Sequence, residues 1–214
     1  MTAIVHFANN IFKLALTWRD ADRSVVLKFG FPSFAGAIAG ALLLTQLSMM
    51  GVLFYYWIGE EMFVVTPDGV IIGLLLIFFA LFDILPSAKR IELNPKYLPY
   101  GGILSGFFGG LSGHQGALRT TFLIRSGLSK EAFIATGVMI ACIVDISRLS
   151  VYFSMMGSTL FGSEGTLLAA AVLSAFAGAL AGNKLLKKMT IRSVERFVAA
   201  LLLIFAVLLI AGMV

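Results

Sequence analysis

The sequence predicts an all-α polytopic membrane protein, an inverted-repeat helical bundle with a re-entrant glycine-rich hairpin. Three observations support this prediction: the composition, the distribution of basic residues and an internal repeat. Hydrophobic residues make up 59% of the 214 residues, charged residues make up 13%, and the mean hydropathy is +0.98. Soluble domains carry about 25% charged residues, so this composition is typical of a chain that folds in lipid.

The apolar residues come in long runs that contain no Lys, Arg, Asp or Glu. These runs cover residues 29–59, 69–82, 97–118, 132–144, 165–183 and 197–214. A helix needs roughly 20 residues to cross a hydrocarbon core of about 30 Å. We therefore expect membrane-spanning helices, the shorter of which extend past Asp83 and Asp145.

Basic residues are unevenly distributed among the connections between these runs. They cluster around residues 13–28, 89–96 and 184–196, whereas residues 46–68 and 154–165 contain none. By the positive-inside rule, the basic connections face the cytoplasm and the other two face outside. The net charge of +5 then reflects membrane orientation, and we expect no nucleic-acid partner.

The stretch between Lys96 and Lys130 breaks this alternation, because both lysines belong on the cytoplasmic side. Its middle, residues 101–119, is rich in glycine, which has low helix propensity and accepts positive φ, and therefore favours a turn. We predict a re-entrant hairpin over residues 97–130. Irregular backbone is tolerated in a membrane only where it is buried in protein or lines a wet cavity, so this hairpin is the first candidate for a functional site.

Two short segments recur along the chain. Residues 34–40 (FAGAIAG) return as 176–182 (FAGALAG), and residues 10–14 (NIFKL) resemble 145–149 (DISRL). The charge pattern gives the two copies of the glycine segment opposite orientations across the membrane. Inverted repeats of this kind build a cavity near the bilayer midplane that opens to either side by rocking, which favours a secondary transporter working by alternating access.

The repeats divide the chain into two units. We expect residues 1–90 to form the first repeat and residues 91–214 the second, which includes the hairpin. The first repeat contains no counterpart of the hairpin. We therefore also expect it to be truncated and to lack a glycine-rich opening segment.

Within the hairpin, Arg119 is the first candidate for contact with an anion. It precedes Lys130 by 11 residues, so one helical arm would raise it about 16 Å into the membrane. Arginine in a membrane usually faces a cavity and binds oxyanions through two parallel hydrogen bonds. A structural salt bridge or a clamp on carbonyl groups is the alternative. The other predicted substrate-binding residues surround the turn: Gly109, Gly110, Ser112, Gly113, His114, Gln115, Gly116 and Thr120.

Several other residues have structural interpretations that compete with functional ones. Asp145 and Arg148 are three apart on one helical face, where they form either a mutual salt bridge or a proton-coupling pair. A lone histidine such as His114 more often packs or hydrogen-bonds than titrates. The aromatic residues 54–57 are interpreted as an interfacial belt, and Cys142 as a buried small hydrophobe.

Residues 106–119 (GFFGGLSGHQGALR) and 127–136 (GLSKEAFIAT), with the helix after residues 18–22 (WRDAD), resemble the TauE/SafE sulfite exporter family of bacterial membrane proteins. The resemblance covers nearly the whole chain. It implies export of sulfite or related organosulfur anions across the inner membrane, by membrane helices in two repeats. The family's usual first glycine-rich motif has no counterpart here, in agreement with the expected truncation.

Three classes of function are compatible with a membrane bundle: an anion transporter, a non-catalytic scaffold or assembly subunit, and an intramembrane enzyme. An enzyme needs a nucleophile and base or a metal cluster, but the only histidines are His6 and His114, without a His-x-x-x-His or Glu-x-x-His pattern. We therefore expect a transporter with no enzymatic activity, cofactor or metal. Its partners are a small anion and the bilayer; a homo-oligomer, the identity of the anion and the coupling ion stay open.

Overall fold

The computed structural model describes residues 2–85, 94–124, 126–156, 165–186 and 191–214. The chain is 81% helical, which confirms the helical prediction. The basic residues Lys89 and Arg90 lie outside the described residues. The helices in these ranges are α1 Thr2–Thr17, α2 Arg23–Met49, α3 Pro67–Ile84, α4 Leu98–Ser112, α5 Gly116–Leu123, α6 Lys130–Met156, α7 Gly165–Leu186 and α8 Ile191–Ile210.

The uncharged run over residues 29–59 does not form a single helix. α2 ends at Met49, and two antiparallel strands follow, β1 Phe54–Ile58 and β2 Glu61–Val65. Gly59, with a φ of 62°, opens the two-residue loop between them, a position that hairpins commonly give to glycine. The predicted aromatic belt is therefore a β-strand, which agrees with the strand preference of aromatic residues.

Glycines on α2 and α4 bring the two helices into backbone contact. An added Cβ at each of these glycines would overlap a carbonyl oxygen of the other helix: Gly36 and Gly40 on α2, and Gly102, Gly106 and Gly110 on α4. Spacings of four residues put each set on one helical face. Small residues at that spacing allow close approach of helices in a membrane. These glycines therefore serve helix packing, and the expectation that they favour a turn was wrong for all but the last part of the stretch.

The stretch 97–130 contains two antiparallel helices, α4 and α5. Gly101, near the start of α4, lies against the ring of Phe122, near the end of α5. Closer to the turn, the Ser105 hydroxyl donates a hydrogen bond to the carbonyl oxygen of Gln115 (3.2 Å). A helical hairpin is therefore present, and its re-entrant insertion into a membrane stays a prediction.

A buried apolar cluster holds the open end of this hairpin. The rings of Phe29 on α2 and Phe122 on α5 lie 6.2 Å apart between centroids. The cluster unites residues from the start of α2, both arms of the hairpin and α6: Val25, Phe29, Leu98, Phe122, Leu123 and Ile140. The hairpin is thus fixed at its base by side-chain packing and along α4 by the glycine contacts.

Two pairs of helices connect the two predicted repeats. α1 packs on α6, and α3 packs on α8. Asn10 and Asp145, which the internal repeat aligns, touch directly, because Asn10 Nδ2 donates a hydrogen bond to Asp145 Oδ2 at 2.8 Å. The backbone N–H of Asp22 donates to Thr136 Oγ1 (2.9 Å), so α1 and α6 run antiparallel. The division of the chain into two inverted repeats stays a prediction.

Two helices in the described ranges are long and apolar enough to cross a membrane, Arg23–Met49 and Lys130–Met155. Shorter apolar stretches occupy much of α3, α7 and α8. The outward surface of the bundle carries large apolar side chains that are more than half exposed, among them Leu74, Phe78 and Ile204. An apolar exterior of this extent is suited to contact with lipid.

We expect Gly106→Ala to lower the stability of the fold. The added methyl group would overlap the Ser33 carbonyl oxygen, and overpacking of this kind costs about 1–3 kcal/mol. Gly178→Ala is the matched control, because an added Cβ at Gly178 meets no atom of the described residues within 4 Å. Alanine exceeds glycine in helix propensity by about 1 kcal/mol, so the control is neutral or stabilising. Thermal unfolding of both variants in detergent measures the difference; equal midpoints would contradict the α2–α4 contact.

Candidate functional site

The turn between α4 and α5 lies against α6. Gly113, with a φ of 80°, ends α4, and its N–H donates to the Gly109 carbonyl oxygen at 2.9 Å. An added Cβ at Gly113 would lie 3.1 Å from Nη1 of Arg148 on α6. Glycine is required here both for the backbone conformation and for the approach of the guanidinium.

Arg148 is buried and has spare hydrogen-bonding capacity. Its Nη1 lies 3.7 Å from Asp145 Oδ1, so the predicted pair is within ion-pair distance. Its guanidinium carbon lies 5.9 Å from the centroid of the Tyr152 ring. Its Nε and the Tyr152 hydroxyl are buried without a hydrogen-bond partner in the described part of the chain. Arg148 therefore keeps a donor for a further acceptor.

Gln115 lies at the same turn and lacks partners as well. Only 4% of the residue is exposed, and neither Oε1 nor Nε2 of its amide has a partner among the described residues. Its Cβ packs toward Gly109, 3.1 Å from where a Cβ would stand on that glycine. A buried polar group without a partner costs about 1–3 kcal/mol. The amide is thus a second buried group at this turn without a hydrogen-bond partner in the described residues.

Arg119 on α5 also faces α6, at a different height. Its Nε lies 3.5 Å from the Cβ position of Gly137, and its Nη1 is buried without a partner in the described residues. The prediction of one helical arm from Arg119 to Lys130 was wrong, because α5 ends at Leu123 and Gly127 takes a φ of 70°. Gly137 lies about 10 Å along α6 from Lys130, so Arg119 is closer to the start of α6 than expected.

The other predicted site residues divide into two groups. Ser112 donates its hydroxyl to the Phe108 carbonyl oxygen (2.9 Å) and accepts from the N–H of His114 (3.3 Å). The His114 ring stacks on Phe79 of α3, with 6.4 Å between centroids. Gly110 packs on the backbone of α2, and Gly116 and Thr120 are exposed.

His6 and Asn10 of α1 contact Asp145 of α6. Neither residue was predicted as part of the site. His6 Nδ1 lies 2.9 Å from Asp145 Oδ2, and Asn10 donates to the same oxygen. Asp145 is fully buried, and its field acts on Arg119. The alignment of Asn10 with Asp145 was the available signal, since His6 lies one helical turn before Asn10 on the same face.

The family model for sulfite exporter TauE/SafE matches residues 1–209. The chain belongs to this family. No curated protein and no solved structure matches it. TauE/SafE proteins are a family of membrane transporters, not enzymes, associated with export of sulfite and related anions.

Gly113→Ala is expected to impair this TauE/SafE protein more than the same change elsewhere. Gly51→Ala is the control, because Gly51 has the same φ of 80° and no atom of the described residues within 4 Å of an added Cβ. Left-handed backbone costs alanine about 1–2 kcal/mol, so both variants unfold at lower temperature. Only Gly113 contacts Arg148, so only its variant should lose sulfite flux in proteoliposomes. Equal flux in the two variants would show that the turn does not position Arg148.

Proposed function

We propose that this chain is a multi-pass secondary transporter of the bacterial cytoplasmic membrane that exports small oxyanions, sulfite or related organosulfur anions, by alternating access. The proposal combines the family membership with the side chains that converge between the hairpin and α6. Its substrate contacts are the donors of Arg148, Gln115 and Arg119. The turn residues Gly109, Gly113, His114 and Ser112 shape the space around them.

The observation that supports the proposal most directly is the surplus of buried donors. Arg119 Nη1, Arg148 Nε and the Gln115 amide have no hydrogen-bond partner in the described part of the chain. A cation in a membrane interior is expensive unless it is paired, and Asp145 is the one carboxylate within ion-pair distance of Arg148 in the described residues. An oxyanion supplies both the missing charge and the missing acceptors.

The two arginines suggest successive positions for the anion. Gly137, which contacts Arg119, and Arg148 are 11 residues apart on α6, about 16 Å along its axis. A small oxyanion is shorter than this separation, so we infer that it contacts the two arginines one after the other. In the proposed cycle the anion contacts Arg119 near the cytoplasmic end and Arg148 at the hairpin tip.

The antiparallel contact of α1 with α6 supports alternating access. Asn10 and Asp145 meet at the boundary between the predicted repeats. Rocking of one repeat against the other about such a boundary exposes the site to either side in turn. The glycines of the hairpin pack on the backbone of α2, across the boundary between the predicted repeats.

Loss of either arginine should reduce transport. A hydrogen bond to a charged group contributes about 1.5–3 kcal/mol, which corresponds to about 10- to 150-fold in affinity. Radiolabelled sulfite flux into inverted vesicles would compare Arg119→Ala and Arg148→Ala with Arg196→Ala, an exposed arginine on α8. Arg119→Lys should retain part of the flux, because it keeps the charge and loses the paired donors.

Unchanged flux in both Arg119→Ala and Arg148→Ala, with normal unfolding temperatures, would contradict the assignment of the anion site. Absence of sulfite flux from the wild-type chain would count against the transport function itself. A scaffold or assembly subunit would then be the better explanation, because such a protein tolerates loss of Arg119.

The proposed orientation can be tested with thiol labelling, since Cys142 is the only cysteine and is buried. In a Cys142→Ala background, Asp20→Cys should react with a membrane-impermeant reagent only in inverted vesicles. Glu60→Cys, in the loop between β1 and β2, should react in intact cells. The Tyr56 hydroxyl donates to the Ala211 carbonyl oxygen (2.7 Å), so the end of α8 shares the side of that loop. Labelling of both cysteines from one side would contradict a membrane-spanning α2.

A further inference from the structure

His6 and Asp145 meet through atoms that need a proton between them. His6 Nδ1 lies 3.0 Å from Oδ1 and 2.9 Å from Oδ2 of Asp145. An ionised carboxylate only accepts hydrogen bonds, and so does an imidazole nitrogen that carries no hydrogen. One proton must therefore lie between the ring and the carboxylate. With Asp145 ionised and the ring neutral, this proton is on Nδ1, which leaves the lone pair of Nε2 free to bind a second proton.

The two side chains differ in their access to the surroundings. The side chain of Asp145 is 0% exposed, whereas that of His6 is 41% exposed. Asn10, itself buried, donates to Asp145 Oδ2 and fixes the carboxylate in place. The ring of His6 is thus the member of the pair that can exchange protons, and Asp145 is the fixed counter-charge behind it.

The ionisable groups around this pair come from α6 and the hairpin. Arg148 Nη1 lies 3.7 Å from Asp145 Oδ1, and both Arg119 and Cys142 interact electrostatically with Asp145. His114 interacts electrostatically with His6. α7, which also packs on α1, has no ionisable residue between positions 165 and 179. Asp145 is therefore the single carboxylate among these groups, and His6 and Arg148 compete for it.

We propose that His6 and Asp145 form a proton-binding site whose occupancy is coupled to anion binding at Arg148, an inference that rests on the transport function proposed above. Proton uptake at Nε2 converts the ring into an imidazolium, and Asp145 becomes its counter-charge. The carboxylate then neutralises less of the charge of Arg148. The guanidinium attracts an anion more strongly, so proton and anion bind cooperatively.

The sign of this coupling predicts co-transport. By linkage, an anion that binds better to the protonated protein must raise the proton affinity of His6 by the same factor. The loaded carrier then holds one extra proton with its anion. For a singly charged anion the pair adds no net charge, which removes the cost of moving an uncompensated charge through the membrane.

Binding measurements test the linkage without requiring transport. Sulfoacetate is the probe, because its sulfonate and carboxylate groups both stay ionised between about pH 6 and pH 8. Couplings between sites typically change affinity about 5- to 150-fold, so we expect sulfoacetate to bind the purified wild-type protein at least about fivefold tighter at the lower pH. His6→Gln keeps a donor toward Asp145 and cannot titrate, so its affinity should be equal at the two pH values.

Nuclear magnetic resonance of isotope-labelled histidine observes the proton directly. The chain has two histidines, and the His114→Gln variant identifies the signal of His6. We expect a protonated Nδ1 throughout and titration at Nε2, with a midpoint that moves to higher pH when sulfoacetate is added. A midpoint of the His6 signal that is unchanged by sulfoacetate would overturn the proposal. This outcome does not depend on whether any variant at position 6 folds.

Flux experiments separate failure of the coupling from failure of the transport function. In vesicles containing a pH-sensitive dye, wild-type anion flux should carry protons in the same direction, and His6→Gln should move the anion without them. Glu131→Gln, an exposed carboxylate change in the first turn of α6, is the control and should behave as wild type. Anion flux without proton movement in the wild type would refute the coupling and leave the transporter. If sulfoacetate shifts the His6 signal but the wild type shows no anion flux, the transport function is refuted and the proton-binding site remains.

Discussion

Backbone contact between α2 and α4 is the constraint on which the rest of this fold depends. Apolar burial selects no particular helix partner in lipid, because lipid tails are as apolar as leucine side chains, so close van der Waals packing must provide the selection. Glycines such as Gly36 and Gly106 supply it by leaving room for a carbonyl oxygen of the facing helix. Once α4 is fixed on α2, its end at Gly113 reaches Arg148, and α5 returns along α6 with Arg119. The position of Arg119 and the contact of Gly113 with Arg148 thus depend on helix packing along α4.

Features that depend on local pattern were predictable from the sequence, and contacts between distant segments were not. The helical content, the hairpin and the proximity of Asp145 to Arg148 follow from composition, charge pattern and helical spacing. The contact of His6 with Asp145 does not, because hydropathy locates a helix without stating which neighbour each of its faces meets. The alignment of Asn10 with Asp145 in the predicted repeat was the one available signal, since aligned residues of inverted repeats touch where an axis relating them passes.

Glycine composition proved ambiguous because two structural roles share it. A left-handed turn needs glycine for its φ, whereas close packing needs glycine for its missing Cβ, and composition does not distinguish Gly113 from Gly106. The same heptapeptide pattern also occurs in two environments: Gly36 lies against a carbonyl oxygen of α4, while Gly178 has no atom of the described residues within 4 Å of an added Cβ. A row of small residues therefore shows that a helix can approach another helix closely. Whether that close contact forms depends on a complementary row of small residues on the partner helix.

The charge balance around Asp145 underlies the proposed coupling between an anion and a proton. Arg119 and Arg148 in the field of one carboxylate leave an excess of positive charge, which a low-dielectric interior penalises. A proton on His6 enlarges that excess and an anion removes it, so a proton is costly alone and each ligand binds better in the presence of the other. With a neutral ring and no anion, Asp145 is free to hold Arg148, which makes the empty state tolerable as well. Charge therefore opposes binding of the proton without the anion, and this property would link proton movement to anion movement in the proposed carrier.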